Sequence, residues 1–267
     1  MSRGCITLLT DFGTTDPYVA AMKGAALSVN PDVQLVDVSH EVAPHDVAEA
    51  GYLLAYSYRH FAAGTVHVAV VDPGVGSERR ILAAEVEGHV LMAPDNGLLS
   101  LALGERPAAR LVNVTSARFF RHPVSLTFHG RDIFAPVAAH LTLGVDLGEL
   151  GPPVADYERF EAGAARATAE GLEGRVIHVD HFGSLVTNIT REQVAALGPD
   201  AHPRVHLEGT QIGRILRTYS DVRVGALLAV VGSAGLLEIS ANRRSAADLL
   251  GVGRGTVVRV TRGAERP

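Results

Sequence analysis

Three acids stand directly after short apolar runs: Asp11 after "ITLLT", Asp72 after "VHVAVV" and Asp180 after "RVIHV". In open α/β sheets ligands bind outside the carboxyl ends of the strands, so acids placed there face an opening rather than the core. Any one of them can be a turn or cap carboxylate that binds local N–H groups. Three together, two of them beside glycine turns, point to a site that handles hydroxyls or amines. The segment "VVDPGVGSERR", Val70 to Arg80, surrounds the second acid with glycines and two guanidinium groups. It could grip phosphate, make a plain turn or take part in chemistry.

Its surroundings argue against the first option. Gly74 and Gly76 lack the third glycine of a dinucleotide fingerprint, and the segment leads into another strand rather than a helix. "HEVAPH" resembles a zinc-protease helix, but His45 comes one position too late after His40 and Pro44 breaks the helix. Twelve histidines are present without convincing ligand spacing, so no metal site is expected. "GVGRGT" near the C-terminus lacks strand-turn-helix context and reads as a turn. The net charge of -5 comes without a basic patch, and tryptophan is absent, which argues against a nucleic-acid platform. No apolar run has bilayer length and no secretory leader is evident, so a soluble protein without a membrane partner is expected. The lone Cys5 cannot pair within the chain and reads as a small buried residue, which suits a cytoplasmic location.

The elements that must hold these acids change character along the 267 residues. Over 1–147, β-branched runs ("CITLLT", "VQLVDV", "TVHVAVV", "ILAAEV", "HVLMA") alternate with helical patterns. Pro17 opens "PYVAAMKGAALSVN", Asp46 is the candidate N-cap of "DVAEAGYLLAYSYRHF", and "RDIFAPVAAHLTLG" ends at Gly144. This alternation predicts an N-terminal three-layer α/β domain with a mostly parallel sheet. Over 148–171 the pattern lapses around Pro152–Pro153 and reads as a linker. Over 172–267 short strands separated by glycine or polar turns, with one short helix near 191–197, predict a smaller all-β barrel or sandwich domain.

Five stretches then occur in order: "LLTDFGTTDPYVAAMKGAALSVNPDVQLVDVSHEVAPHDV", "VVDPGVGSERR", "APDNGLLS", "FHGRDIFAPVAAHL" and "VDHFGSLVTNI". Together they resemble the S-adenosylmethionine (SAM) hydrolase family, also called SAM hydroxide adenosyltransferases, relatives of the fluorinase and chlorinase enzymes. The similarity runs from Ile6 to Val260. It implies hydrolysis of SAM to adenosine and methionine, with SAM as substrate and no cofactor. It also implies a homotrimer that binds SAM between the N-terminal domain of one subunit and the C-terminal domain of its neighbour.

The resemblance carries a water-handling set onto Asp72, Arg79 and His129. Asp72 can accept a proton or hydrogen bond from water, Arg79 can stabilise hydroxide and orient Asp72, and His129 can relay the proton. Which of Asp72 and His129 takes it first stays open, and Arg80 reads as a surface residue. For the substrate the resemblance implies Asp11 and Asp16 near the ribose, and Asp180 on the methionine ammonium. Ser233 takes the carboxylate, Phe182 packs on the adenine, and Asn96 is either a signature residue or a turn former. Three positions depart from the relatives: Ser184 replaces asparagine, Ala234 lacks the arginine of the halogenases, and His45 stands where they have tryptophan. The halogenases also carry tyrosine at the Asp72 place and Tyr-Ser at His129–Gly130, and a carboxylate would repel a halide. Hydrolysis is therefore favoured. A halide-dependent 5′-halo-5′-deoxyadenosine synthase and a non-catalytic sensor of SAM or adenosine are the alternatives.

Overall fold

The computed structural model describes residues 4–104, 108, 110–159, 165–198 and 201–263. The chain divides into two compact units, 1–160 and 161–267.

In the first unit six strands among the described residues form one sheet. They are β1 (Cys5–Thr10), β2 (Gln34–Ser39), β3 (Val66–Val70), β4 (Ile81–Val86), β5 (His89–Pro94) and β6 (Arg110–Asn113), in the order β2-β1-β3-β5-β4-β6. The first four positions are mutually parallel, and β4 runs antiparallel to β5 and β6. The expected mostly parallel sheet is present. Alternate residues of the strands feed two separate cores, as the two-residue side-chain period of a strand demands. Ile6, Leu8, Val66, Val68 and Met92 pack under helices α1 (Tyr18–Val29) and α4 (Ala135–Thr142). Leu9, Ala69, Leu82 and Leu91 pack on the opposite face under α2 (Val47–Ser57) and α3 (Ser100–Leu103). The strands are apolar on both sides because both faces are covered.

Helix starts follow local chemistry. Pro17 immediately precedes α1, and the Asp46 carboxylate caps α2 by accepting from Glu49 N at 3.0 Å. The helix expected to begin at Arg131 is instead a π-helical turn, Gly130–Phe134, that runs into α4. The stretch set off by Pro152–Pro153 begins with backbone bonds to β6, from Asn113 N to Pro152 O and from Val154 N to Leu111 O. Its residues 160–164 lie outside the described residues.

In the second unit seven strands among the described residues close into a barrel. They are β8 (Gly171–Val179), β9 (Leu185–Thr190), β10 (Arg204–Leu207), β11 (Thr210–Leu216), β12 (Leu227–Val231), β13 (Leu236–Ala241) and β14 (Val257–Thr261). The order is β14-β10-β11-β12-β13-β9-β8, with β8 pairing back onto β14 and the short β7 (Arg166–Ala167) added outside β8. Closure leaves no free edge in the ring. The barrel is filled by Leu172, Val176, Leu185, Val205, Leu237, Ile239 and Val258. Two short helices, α5 (Arg191–Ala195) and α6 (Ala246–Leu250), complete the unit.

Candidate active site

Register explains why two of the acids meet. β1 and β3 are parallel neighbours with Thr10 beside Val70, so the chain leaves both strands at the same end, carrying Asp11 and Asp72. Both carboxylates line a cleft of about 320 Å³ with Phe12, Tyr18, His45 and Gly130. That volume lies at the small end of ligand sites.

After Asp72 the chain makes a tight turn, held by Val75 N to Asp72 O at 3.2 Å and by Ser77 Oγ to Gly74 O at 2.7 Å. Gly76 has a left-handed φ of 80°, and a Cβ there would run into the Leu126 carbonyl. Only glycine takes this backbone and this close approach without strain. The turn returns Arg79 onto Asp72. Its Nε lies 3.0 and 2.9 Å from the two carboxylate oxygens, and its Nη2 also donates to Oδ2. Nη2 further donates to His129 Nδ1 at 2.8 Å. One guanidinium thus joins the acid and the imidazole, and both members of the ion pair are largely out of water. Since Nδ1 accepts from arginine, the imidazole proton belongs on Nε2. Burial pushes the His129 pKa below its ordinary value and the Arg79 charge pushes the same way, against the opposing charges of Asp72 and Asp132. Burial and the Arg79 contact both favour the uncharged ring.

His129 sits at the entry to the π-helical turn, a form that recurs at functional sites. The turn is anchored by Asp132, a residue the sequence reading passed over. Its fully buried carboxylate accepts from Arg131 Nε and Nη2 at 2.7 Å, from Ser125 N at 2.9 Å and from Arg121 Nη1 at 3.2 Å. Burial alone would raise its pKa, but these donors hold it below the usual carboxylate range. The available signal is an acid directly preceding the apolar run "IFAPVAAHL". Gly130 packs so that a Cβ would stand 3.1 Å from Met22 Sδ and 3.4 Å from the Phe12 ring. Phe12, Tyr18 and Phe128 form an edge-to-face aromatic cluster with centroids 5.4–6.0 Å apart.

The other cleft residues are held by their backbones. Asp11 Oδ2 accepts from His45 N at 2.9 Å, and His45 adopts a left-handed φ of 68°, costly for a residue with a side chain. His40, of the "HEVAPH" segment, is buried with Nδ1 2.8 Å from Thr10 Oγ1 and Nε2 3.0 Å from Asp37 Oδ1. Among the described residues no group of three potential ligands could hold a metal ion. Asp16 is exposed and outside the cleft lining. Asn96 donates to Val71 O at 2.9 Å and accepts from Leu98 N at 3.3 Å, which ties the turn after β5 to the backbone just before Asp72. Arg80, expected at the surface, is partly exposed and reaches both the buried Asp95 carboxylate at 2.6 Å and the exposed Asp156 at 2.8 Å. It crosslinks "PDNG" to the 152–158 segment, whose Glu158 N also donates to Asp95 Oδ1 at 2.7 Å.

The remaining site residues belong to the barrel unit. Asp180, Phe182 and Ser184 share the β8–β9 turn, where Asp180 Oδ1 accepts from Phe182 N at 2.9 Å and Ser184 N at 2.7 Å. Ser184 is buried, whereas the Phe182 ring is 77% exposed. Ser233 is exposed on the β12–β13 turn.

The sequence matches the model of the SAM hydroxide adenosyltransferase N-terminal domain over residues 6–151 and that of the C-terminal domain over 174–259. It is 41% identical to an (R)-S-adenosyl-L-methionine hydrolase of Salinispora tropica, covering 97% of this chain and 98% of the relative. It is 31% identical to a fluorinase of Nocardia brasiliensis over 92% of both chains. A crystal structure of an uncharacterized conserved protein from Thermotoga maritima superposes with a TM-score of 0.90 at 34% identity, covering 96% of this chain and all of the other.

Proposed function

This chain belongs to the SAM hydroxide adenosyltransferase family, and from that premise we propose that it hydrolyses SAM to adenosine and methionine. Water attacks C5′ of the ribose in line with the C–S bond. The sulfonium departs as a neutral thioether, so the leaving group needs no acid, and SAM is the substrate without a separate cofactor. The demand falls on water, a poor nucleophile until a base takes its proton.

The Asp72–Arg79–His129 chain of contacts carries this reading. Arg79 stays charged and holds both partners, so it orients the carboxylate and offsets negative charge as hydroxide character develops. The lone pair of His129 Nδ1 is engaged by Arg79, which leaves this ring a donor at Nε2 and makes Asp72 the proton acceptor. His129 then helps position the water. Asp11, joined by Asp16 when the substrate is seated, binds the ribose diol, and Asn96 fixes the backbone that presents Asp72. In the barrel, Phe182 covers the adenine, Asp180 takes the ammonium and Ser233 the carboxylate, while Ser184 supplies backbone to that turn. A homotrimer with its sites at subunit interfaces completes the proposal, and light scattering tests it. No described helix is long and apolar enough to cross a membrane. The single cysteine fits a cytoplasmic setting.

The direct experiment incubates the purified protein with SAM in oxygen-18 water and analyses adenosine by mass spectrometry. Labelled 5′-oxygen is the expected result. Absence of adenosine would leave a binding protein, and 5′-halo-5′-deoxyadenosine in the presence of chloride or fluoride would make it a halogenase. Asp72 at the attack site argues against the latter, since an anion gains nothing beside a carboxylate.

A further inference from the structure

Arg80 and Asp95 form an ion pair that the proposed reaction does not use, yet the pair adjoins the turn that carries the reaction. β4 and β5 are antiparallel with Ile81 beside Pro94, so the residue before one strand meets the residue after the other. Asp95 N donates to Arg80 O at 3.0 Å, and Arg80 Nε donates to Asp95 Oδ2 at 2.7 Å. Asp95 is buried, and its second oxygen, Oδ1, accepts from Glu158 N. Both carboxylate oxygens are thus engaged, as a charge removed from water requires. Arg80 also contacts Asp156, but that side chain is 83% exposed and the contact adds little.

The place of the pair in the chain gives it a task. The turn from Val71 to Arg80 carries Asp72 and Arg79, each one residue inside an end. Asn96 Nδ2 holds the first end at Val71 O, 2.9 Å away, and Asp95 holds the second through the backbone and side chain of Arg80. Two neighbouring residues of one loop therefore grip both ends. Between these grips Arg79 must meet Asp72 and His129 Nδ1 at once. The Asp72 and Arg79 side chains are largely out of water, where the worth of such a contact depends steeply on its geometry. A misplacement of about 1 Å can cost about a hundredfold in rate.

We propose that Arg80 and Asp95 are positioning residues that keep the Arg79 guanidinium on Asp72 and His129. Neither lines the cleft, and both act through the turn they fasten. The inference rests on the water-handling role given to Asp72 above and adds the pair that holds that set in register.

The test has two readouts. The Arg79 Nε–H resonance in heteronuclear NMR, identified by its loss in Arg79→Lys, reports the contact without turnover. Adenosine release against SAM concentration gives kcat and KM. Asp95→Asn keeps the side-chain shape but weakens the hold on Arg80. It is expected to shift or broaden the Arg79 resonance and to lower kcat by about tenfold or more, with KM within about threefold. Arg80→Lys loses the planar fork, acts in the same direction and serves if Asp95→Asn does not fold. Asp156→Asn is expected to leave both readouts as in the wild type. In an Asp72→Ala background Asp95→Asn should have little further effect on rate, whereas a purely structural defect would add to the first loss. An unchanged Arg79 resonance in a folded variant overturns the inference, as does an unchanged kcat in an enzyme that releases adenosine. Absence of adenosine from the wild-type protein defeats the hydrolase reading, while the resonance still decides whether the pair holds Arg79.

Discussion

The cleft of the α/β unit and the turns of the barrel are built on opposite plans. In the cleft, Asp72, Arg79 and His129 hold one another, and Asp132 clamps the segment that carries His129. In the barrel, the side chains proposed for the substrate lie at the surface, as with the solvent-exposed Phe182 and Ser233. Chemistry needs donors and acceptors fixed before the reaction, because reorganisation during the step raises the barrier. Recognition needs surface that a ligand can cover and charge that a ligand can neutralise. The comparison assigns rate to the first region and affinity to the second.

The largest expected effect tests that division directly. Asp72→Ala lowers kcat by about a thousandfold, within the range for a lost general base, while KM stays within about threefold. Adenosine release against SAM concentration measures both. A large rise in KM with kcat intact would move Asp72 from chemistry to binding and break the comparison.

Asp132→Asn sharpens it. Removing one side of a buried ion pair is expected to cost about 3 kcal/mol in urea unfolding. The native pKa of Asp132 is depressed, so its stabilisation is present above the unfolded carboxylate value and disappears as pH falls through the native one. Its charge also favours protonated His129. The variant therefore shifts the acid limb of kcat/KM to lower pH, a change that a purely structural residue would not produce.

Which features the sequence reveals follows the same divide. Parallel strands covered on both faces read plainly as apolar runs, and glycine and proline marked the turns at Gly76 and Pro17. β11 is not legible as a strand because "TQIGRIL" mixes polar residues with Gly213, whose φ of 120° interrupts the strand pattern. The ordered motifs pointed to Asp72, Arg79 and His129, but not to the arginine lying between the other two, because side-chain direction is not written in spacing. Arg80 looked idle because its partners, Asp95 and Asp156, come from distant segments. Asp132 and Glu238 are legible only as acids beside or within apolar runs, and their meaning depends on the groups that tertiary packing brings to them or withholds.

Acid should also separate the two regions. His67 in β3 is fully buried between Thr7 Oγ1 at 2.8 Å and His89 Nδ1 at 3.2 Å. Burial, with a contribution from His89, lowers its pKa to about 3. Between that value and the ordinary 6.5 the unfolded chain binds a proton that the native ring refuses, so stability falls as pH falls through this window. From pH 7 to 5 this one imidazole removes about 2 kcal/mol. Glu238 acts with the opposite sign: its raised pKa gives stability that is present at low pH and lost as pH rises through the native value. Hydrogen exchange corrected for intrinsic rates should show β3 and β5 losing protection at pH 5 while β13 does not. Equal loss in both would mean that the units unfold as one.

Phe182 gives the smallest effect and the cleanest separation of affinity from stability. The ring is exposed, yet its turn is rigid: Asp180 holds two backbone N–H groups, and a Cβ at Gly183 would strike Ser245. An aromatic fixed by its backbone and bare to solvent loses little mobility when a flat ring packs on it, so most of the contact is retained as affinity. Phe182→Ala should raise KM by about tenfold, with kcat unchanged and unfolding stability within about 0.5 kcal/mol, because an exposed side chain supports no core. Loss of stability would show that the ring packs in the folded protein. Loss of kcat at unchanged KM would show that the barrel takes part in the chemical step and that rate and affinity are not divided between the two units.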